Sequence, residues 1–164
     1  MKIVISESQY KRLIEAEEEQ KVLRIPSLKF FSNDWFLLQK FLEGRGNPPY
    51  SIGGDLVLFQ TPIKSLGNLQ SVGGSLDLYG TPIESLGNLQ SVGGYLDLKG
   101  APIESLGNLQ SVGRYLDLGN TPIESLGNLQ SVGGNLFLND TTISENYSEE
   151  EIRQMVNVEG GIYL

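Results

Sequence analysis

The sequence predicts a repeat solenoid, a right-handed stack of parallel β-strands about six rungs high, on three observations. A 20-residue unit recurs four times almost unchanged, as TPIKSLGNLQSVGGSLDLYG at 61–80 and again from Thr81, Ala101 and Thr121. A period of this length means that each unit buries its apolar side against its neighbours and not within itself. Apolar residues also return at fixed offsets: from Leu66 they fall at Leu69, Val72, Leu76, Leu78 and Ile83, and the spacing holds through Ile143. Finally, a disguised unit closes the chain, because Val158-Glu159-Gly160-Gly161-Ile162-Tyr163-Leu164 matches Val72 to Leu78 position by position, with Glu159 at the first glycine.

Each element has its own signal. Ser6-Glu7-Ser8-Gln9 has capping-box spacing and predicts a helix to about residue 20, with Tyr10, Leu13 and Ile14 on one side. Asn33-Asp34 starts a second helix, whose Trp35, Phe36, Leu37, Leu38, Phe41 and Leu42 form a plug for the first rung before Gly44 ends it. Strands are expected at 55–58, 75–78, 95–98, 115–118 and 135–138, where apolar and variable residues alternate, one strand to each repeat. Gly53, Gly73, Gly93, Gly113 and Gly133 precede these strands, as a positive-φ turn or a close backbone approach requires. Arg114 replaces the second glycine, so that position accepts a side chain. SLGN and TPI supply the remaining turns, with an Asn68, Asn88, Asn108 and Asn128 column suited to satisfying loop backbone. Ser148 before Glu149, Glu150 and Glu151 opens a short helix to about Val156. Three segments result: a helical N-terminal cap at 1–50, the solenoid at 51–143, and a C-terminal cap of helix plus degenerate strand at 144–164.

Composition excludes several functions. The chain has no cysteine and no histidine, which removes disulfides, thiolate nucleophiles, His general bases and the usual zinc sets. No catalytic residue, cofactor or metal site is therefore expected. Net charge is −8, with 8 basic and 7 acidic residues in 1–50 against 4 and 13 in 51–164. An acidic solenoid repels phosphate backbones and anionic lipid, so neither nucleic acid nor membrane is an expected partner. The amino terminus has no uncharged apolar stretch of signal-peptide length, and a cytoplasmic protein is expected.

The motif LGNLQSVGGYLDLKGTPI, Leu86 to Ile103, resembles the short bacterial leucine-rich repeat, and the likeness spans 52–143. Similar VGGxLxL repeats occur in uncharacterised bacterial and phage proteins and, more distantly, in receptor L domains. The resemblance implies a partner-binding scaffold. The sequence departs from the family where Thr61, Thr81, Ala101, Thr121 and Thr141 replace the usual asparagine after the strand. Leu13-Ile14-Glu15-Ala16 resembles sites cut by head-maturation proteases of some tailed phages, which implies association with a virion.

Differences among the copies concentrate on the outward positions of the predicted strands. The first column reads Asp55, Ser75, Tyr95, Tyr115 and Asn135; the middle reads Val57, Asp77, Asp97, Asp117 and Phe137; the third reads Phe59, Tyr79, Lys99, Gly119 and Asn139. Aromatic and aliphatic side chains on such a face are costly to leave in water and make good interface anchors. The expected partner-binding set is Val57, Phe59, Tyr79, Tyr95, Tyr115 and Phe137 as anchors, with Asn135, Asn139 and Lys99 beside them. Asp77, Asp97 and Asp117 form a like-charge column that would steer a basic protein surface. Self-association through the sheet, as in a structural protein, and carbohydrate binding are the competing readings. A cation on the aspartates and ice binding by the Thr column are weaker ones.

Overall fold

The computed structural model describes residue 8 and residues 22–164. Apart from Ser8, which is helical, the predicted first helix and the Leu13–Ala16 motif lie outside the described residues. The described chain forms a β-solenoid of about four turns, made of parallel strands throughout. One sheet has seven strands, β1 (Leu23–Ile25), β2 (Tyr50–Ile52), β4 (Leu69–Val72), β6 (Ser91–Val92), β8 (Ser111–Val112), β10 (Ser131–Val132) and β12 (Asn157–Val158), paired in that order. The other has six, β3 (Leu56–Val57), β5 (Leu76–Asp77), β7 (Leu96–Asp97), β9 (Leu116–Asp117), β11 (Leu136–Phe137) and β13 (Ile162–Tyr163). Each repeat thus carries two strands where the sequence predicts one. The missed strand is the Gln-Ser-Val segment, in which only Val points inward, too short for alternation to reveal. Its register is strict all the same, Ser71 beside Ser91 and Val72 beside Val92.

The repeating Leu, Ile and Val columns fill the space between the sheets, and all of them are buried. The degenerate strand pairs as its sequence suggests, Leu136 with Ile162 and Phe137 with Tyr163. Helix α1 (Trp35–Glu43) starts at Asp34, whose carboxylate accepts from the Leu37 N–H, and buries Trp35, Leu38 and Leu42 in the same core. Phe36 and Leu37, expected in the plug, are exposed instead, because they lie on the outer side of the helix. Leu23–Ile25, between the two helices expected in the N-terminal cap, is a strand. At the other end α3 (Glu149–Met155) begins at a Ser148–Glu151 capping box, and α2 (Thr142–Asn146), unforeseen, begins at Thr141. Among the described residues no helix is long and apolar enough to cross a membrane.

The glycine pair between the two strands of each repeat is where the backbone bends from one sheet into the other. None of Gly73, Gly93, Gly113 and Gly133 has positive φ. A Cβ at any of them would instead collide with the carbonyl oxygen of the equivalent glycine one rung earlier. Close approach is therefore the reason for glycine here. Glu159 holds this position before the last strand, where among the described residues no further rung stacks on it.

The second glycine obeys a different rule. The Asp55 carboxylate accepts from Ser75 N–H at 2.8 Å, the Ser75 hydroxyl from Tyr95 N–H at 3.2 Å, and the Asn135 amide oxygen from Gly161 N–H at 2.9 Å. Each of these side chains folds back into the volume that a Cβ at Gly74, Gly94 or Gly160 would occupy. Tyr95 does not fold back, and that is where Arg114 fits. Gly94→Ala is accordingly expected to cost roughly 2–3 kcal/mol, through the Ser75 bond and through overlap with the backbone at Ser75 N (2.8 Å) and Gly74 C (2.9 Å). Gly134→Ala, which follows Tyr115 and meets only backbone atoms at 3.0–3.2 Å, is expected to cost less than half of that. Urea denaturation of the two variants measures the difference.

The turns use side-chain hydrogen bonds repeated along the stack. Ser65, Ser85, Ser105 and Ser125 accept from the N–H groups of Gly67, Gly87, Gly107 and Gly127, which have φ of 55–60°. The Asn68, Asn88 and Asn108 amides each reach the preceding turn. Thr81, Thr121 and Thr141 are buried, and their hydroxyls donate to the carbonyls of Leu78, Leu118 and Leu138. An exposed hydroxyl array is thereby ruled out at the Thr column, and with it the ice-binding reading.

Candidate recognition face

The outer face of the six-stranded sheet carries every residue of the expected binding set. Parallel pairing in register places Val57, Asp77, Asp97, Asp117, Phe137 and Tyr163 in one line across the strands. The first and third columns run on either side of it. Phe59 stacks on Tyr79 with ring centroids 5.4 Å apart, and Tyr95 stacks on Tyr115 at 4.8 Å with an interplanar angle of only 2°. Tyr115 then meets Phe137 edge-on at 6.2 Å, and Phe137 stacks on Tyr163 at 4.8 Å. The strand spacing sets these distances, since rings on adjacent strands fall one rung apart.

Two separate aromatic groups result. Phe59 and Tyr79 lie at the amino-terminal end in the third column. The second group crosses from the first column at Tyr95 and Tyr115 to the middle column at Phe137 and Tyr163. Tyr163, an outward residue of the disguised unit, completes this group; its sequence signal is the alignment of 158–164 with 72–78. Val57, Phe59 and Tyr163 are 60%, 48% and 47% exposed, and the other four rings are half-buried. Burial, followed for Tyr115 by Tyr95 and then for both by the nearby carboxylates, pushes the Tyr95 and Tyr115 hydroxyls above the ordinary tyrosine value, so both remain protonated donors.

The aspartate column has a structural duty that its sequence did not reveal. Asp77, Asp97 and Asp117 each accept, through Oδ1, the N–H two residues on, from Tyr79 at 3.1 Å, Lys99 at 3.0 Å and Gly119 at 2.9 Å. This closes the turn that leaves each strand. One oxygen per carboxylate is left for other partners. Among the described residues the sole ion pair is Arg153 with Glu149 at 2.8 Å, so Lys99 does not bridge the column. Nor does any group of three or more carboxylates among the described residues converge as metal ligands would.

Burial raises the Asp97 carboxyl, the Lys99 N–H opposes the rise, and Asp117 and Asp77 add to it. An acid raised by folding carries no penalty while protonated in both states. It weakens the fold as pH climbs from the unfolded-state value through the folded one. Asp97→Asn keeps the acceptor for Lys99 N–H and removes the charge. It is expected to raise the melting temperature at about pH 7 and to lose that advantage near pH 3, where wild-type Asp97 is protonated in both states. Thermal melts at the two pH values check the sign.

Gly119 is buried and leaves the third column without a side chain between Lys99 and Asn139, beside the Asp117 carboxylate. Sequence reading also missed a shallow groove of about 450 Å³ along the other sheet, where Ser71, Ser91, Ser111 and the glycine column form its floor. Only the missed second strand puts these residues in line. Comparison of the chain with protein-family models, with curated proteins and with solved structures found no match.

Proposed function

We propose that the chain is a non-enzymatic recognition scaffold of leucine-rich-repeat type, a right-handed solenoid of about six rungs with helical segments closing both ends. The face of its six-stranded sheet would take a protein partner with a basic surface, in the cytoplasm of a bacterium or in association with a phage particle. One observation carries this reading: half-buried aromatic groups and carboxylates without ion pairs among the described residues share one face, in register. Tyr79, Tyr95, Tyr115 and Phe137 would anchor the partner, and the free oxygens of Asp77, Asp97 and Asp117 would orient its cationic groups. Ring geometry reduces what is offered to a sugar ligand, because Tyr95 and Tyr115 each spend one face on the other. The test is capture by immobilised protein. A partner held by the intact face and lost with Tyr95→Ser and Tyr115→Ser supports the proposal; equal retention contradicts it. A concentration-dependent mass in light scattering, abolished by the same changes, would replace it with self-association.

A further inference from the structure

The two sheets do not start level. The seven-stranded sheet begins with β1, but after Pro26 the chain leaves the stack for a 3-10 turn at Leu28–Phe31, so no strand lies beside β3 on that side among the described residues. A groove of about 590 Å³ opens there, between Ser27, Leu28, Lys29 and Asn33 on one wall and Gly54, Asp55 and Val57 on the other. Leu56, Leu58 and Gln60 donate their N–H groups to Ser75, Asp77 and Tyr79. Strand alternation therefore turns the Val57 N–H and the carbonyls of Asp55, Val57 and Phe59 toward the groove. No described residue bonds to them. The β12 edge, by contrast, is closed: the Arg153 guanidinium donates to the carbonyls of Val158 at 2.9 Å and Gly160 at 3.0 Å.

We propose that the β3 edge takes an extended peptide segment of a partner protein, added as a parallel strand in this groove. This is a second site, at the edge of the sheet face, where it shares Val57 and Phe59 with that face. The backbone groups call for a strand, and the stagger of the sheets selects a single one. A second copy docking by its folded end would bring β12 and β13 level with each other, and β12 would collide with β1. Side-chain preferences follow from the walls. Outward positions beside Val57 and Phe59 favour apolar residues, and inward positions favour small ones, because Leu28 already fills the core there. In the first column a carboxylate would accept the Asp55 N–H, as Asp55 does for Ser75. Lys29, on the opposite wall and without an ion pair among the described residues, supplies the matching charge.

The probe is the peptide acetyl-Gly-Asp-Ala-Val-Ala-Phe-amide, titrated into the full isotope-labelled chain and followed by NMR. Saturable binding is expected, with exchange of the Val57 amide slowed about tenfold or more at saturation. Val57→Pro removes an N–H that has no ladder partner among the described residues, a place where a strand tolerates proline, and should abolish binding. Lys29→Glu, at an exposed side chain, should weaken it about fivefold or more, and this variant decides the matter if Val57→Pro fails to fold. Absence of saturable binding, undiminished binding by either variant, or protection at Ile162 in place of Val57 would overturn the proposal.

Discussion

Gly93→Ala or Gly113→Ala is expected to destabilise the solenoid by about 3 kcal/mol or more, since the added Cβ meets a backbone carbonyl that has nowhere to move. For a chain of this length that is a fall in melting temperature of roughly 6–12 °C. Both residues lie in the middle of the stack, with a rung on either side. Moving one backbone to relieve the overlap breaks bonds such as Gly93 N–H to the Val72 carbonyl at 2.8 Å. Gly107→Ala separates this cause from backbone strain. Gly107 has a left-handed φ of 55° and open space around it, so its substitution should cost only about 1 kcal/mol. Equal losses at Gly93 and Gly107 would contradict the close-approach account.

The second large effect concerns binding. Joint replacement of Tyr95, Tyr115 and Phe137 by Ser is expected to abolish partner capture, a loss of about a thousandfold in affinity if two anchors each contribute ~2 kcal/mol. The structure adds a complication to this experiment. The three rings contact one another in series, stacked or edge-on, and each pair contributes about 0.5–1.5 kcal/mol to the fold, so the variant will melt earlier than the wild type. Asp77→Asn, Asp97→Asn and Asp117→Asn together give the cleaner companion. The amides still accept the N–H groups two residues on, while the charge that attracts a basic surface is gone. This variant should keep its fold, bind more slowly and lose most of the salt dependence of binding.

Much of the solenoid was legible because the repeats make local sequence and tertiary contact nearly the same thing. Leu76 packs on Leu96 and Leu96 on Leu116, so offsets read along the chain are distances read across the stack. The second strand was not legible, since a two-residue Ser-Val segment has no alternation to detect and its sheet partners lie 20 residues away. Glycine columns told only that a Cβ was unwelcome; positive φ at Gly107 and close approach at Gly93 look alike in sequence. For the candidate site, the columns were readable once the strands were placed. Stacking of particular pairs was not, because Tyr95 and Tyr115 share a column whereas Tyr115 meets Phe137 across columns. Likewise the duty of each aspartate toward the N–H two residues on depends on the turn after the strand.

Hydroxyl-radical footprinting of the captured complex tests the central claim most directly, because it reads the aromatic side chains themselves. Oxidation of Tyr79, Tyr95, Tyr115 and Phe137 is compared between free and bound protein, with exposed Phe36 and Tyr147 away from the face as internal references. The recognition-face account predicts protection of the four face residues and unchanged oxidation of the two references. Protection of Phe36 or Tyr147 with the face unchanged would contradict it and place the binding site at the helical ends.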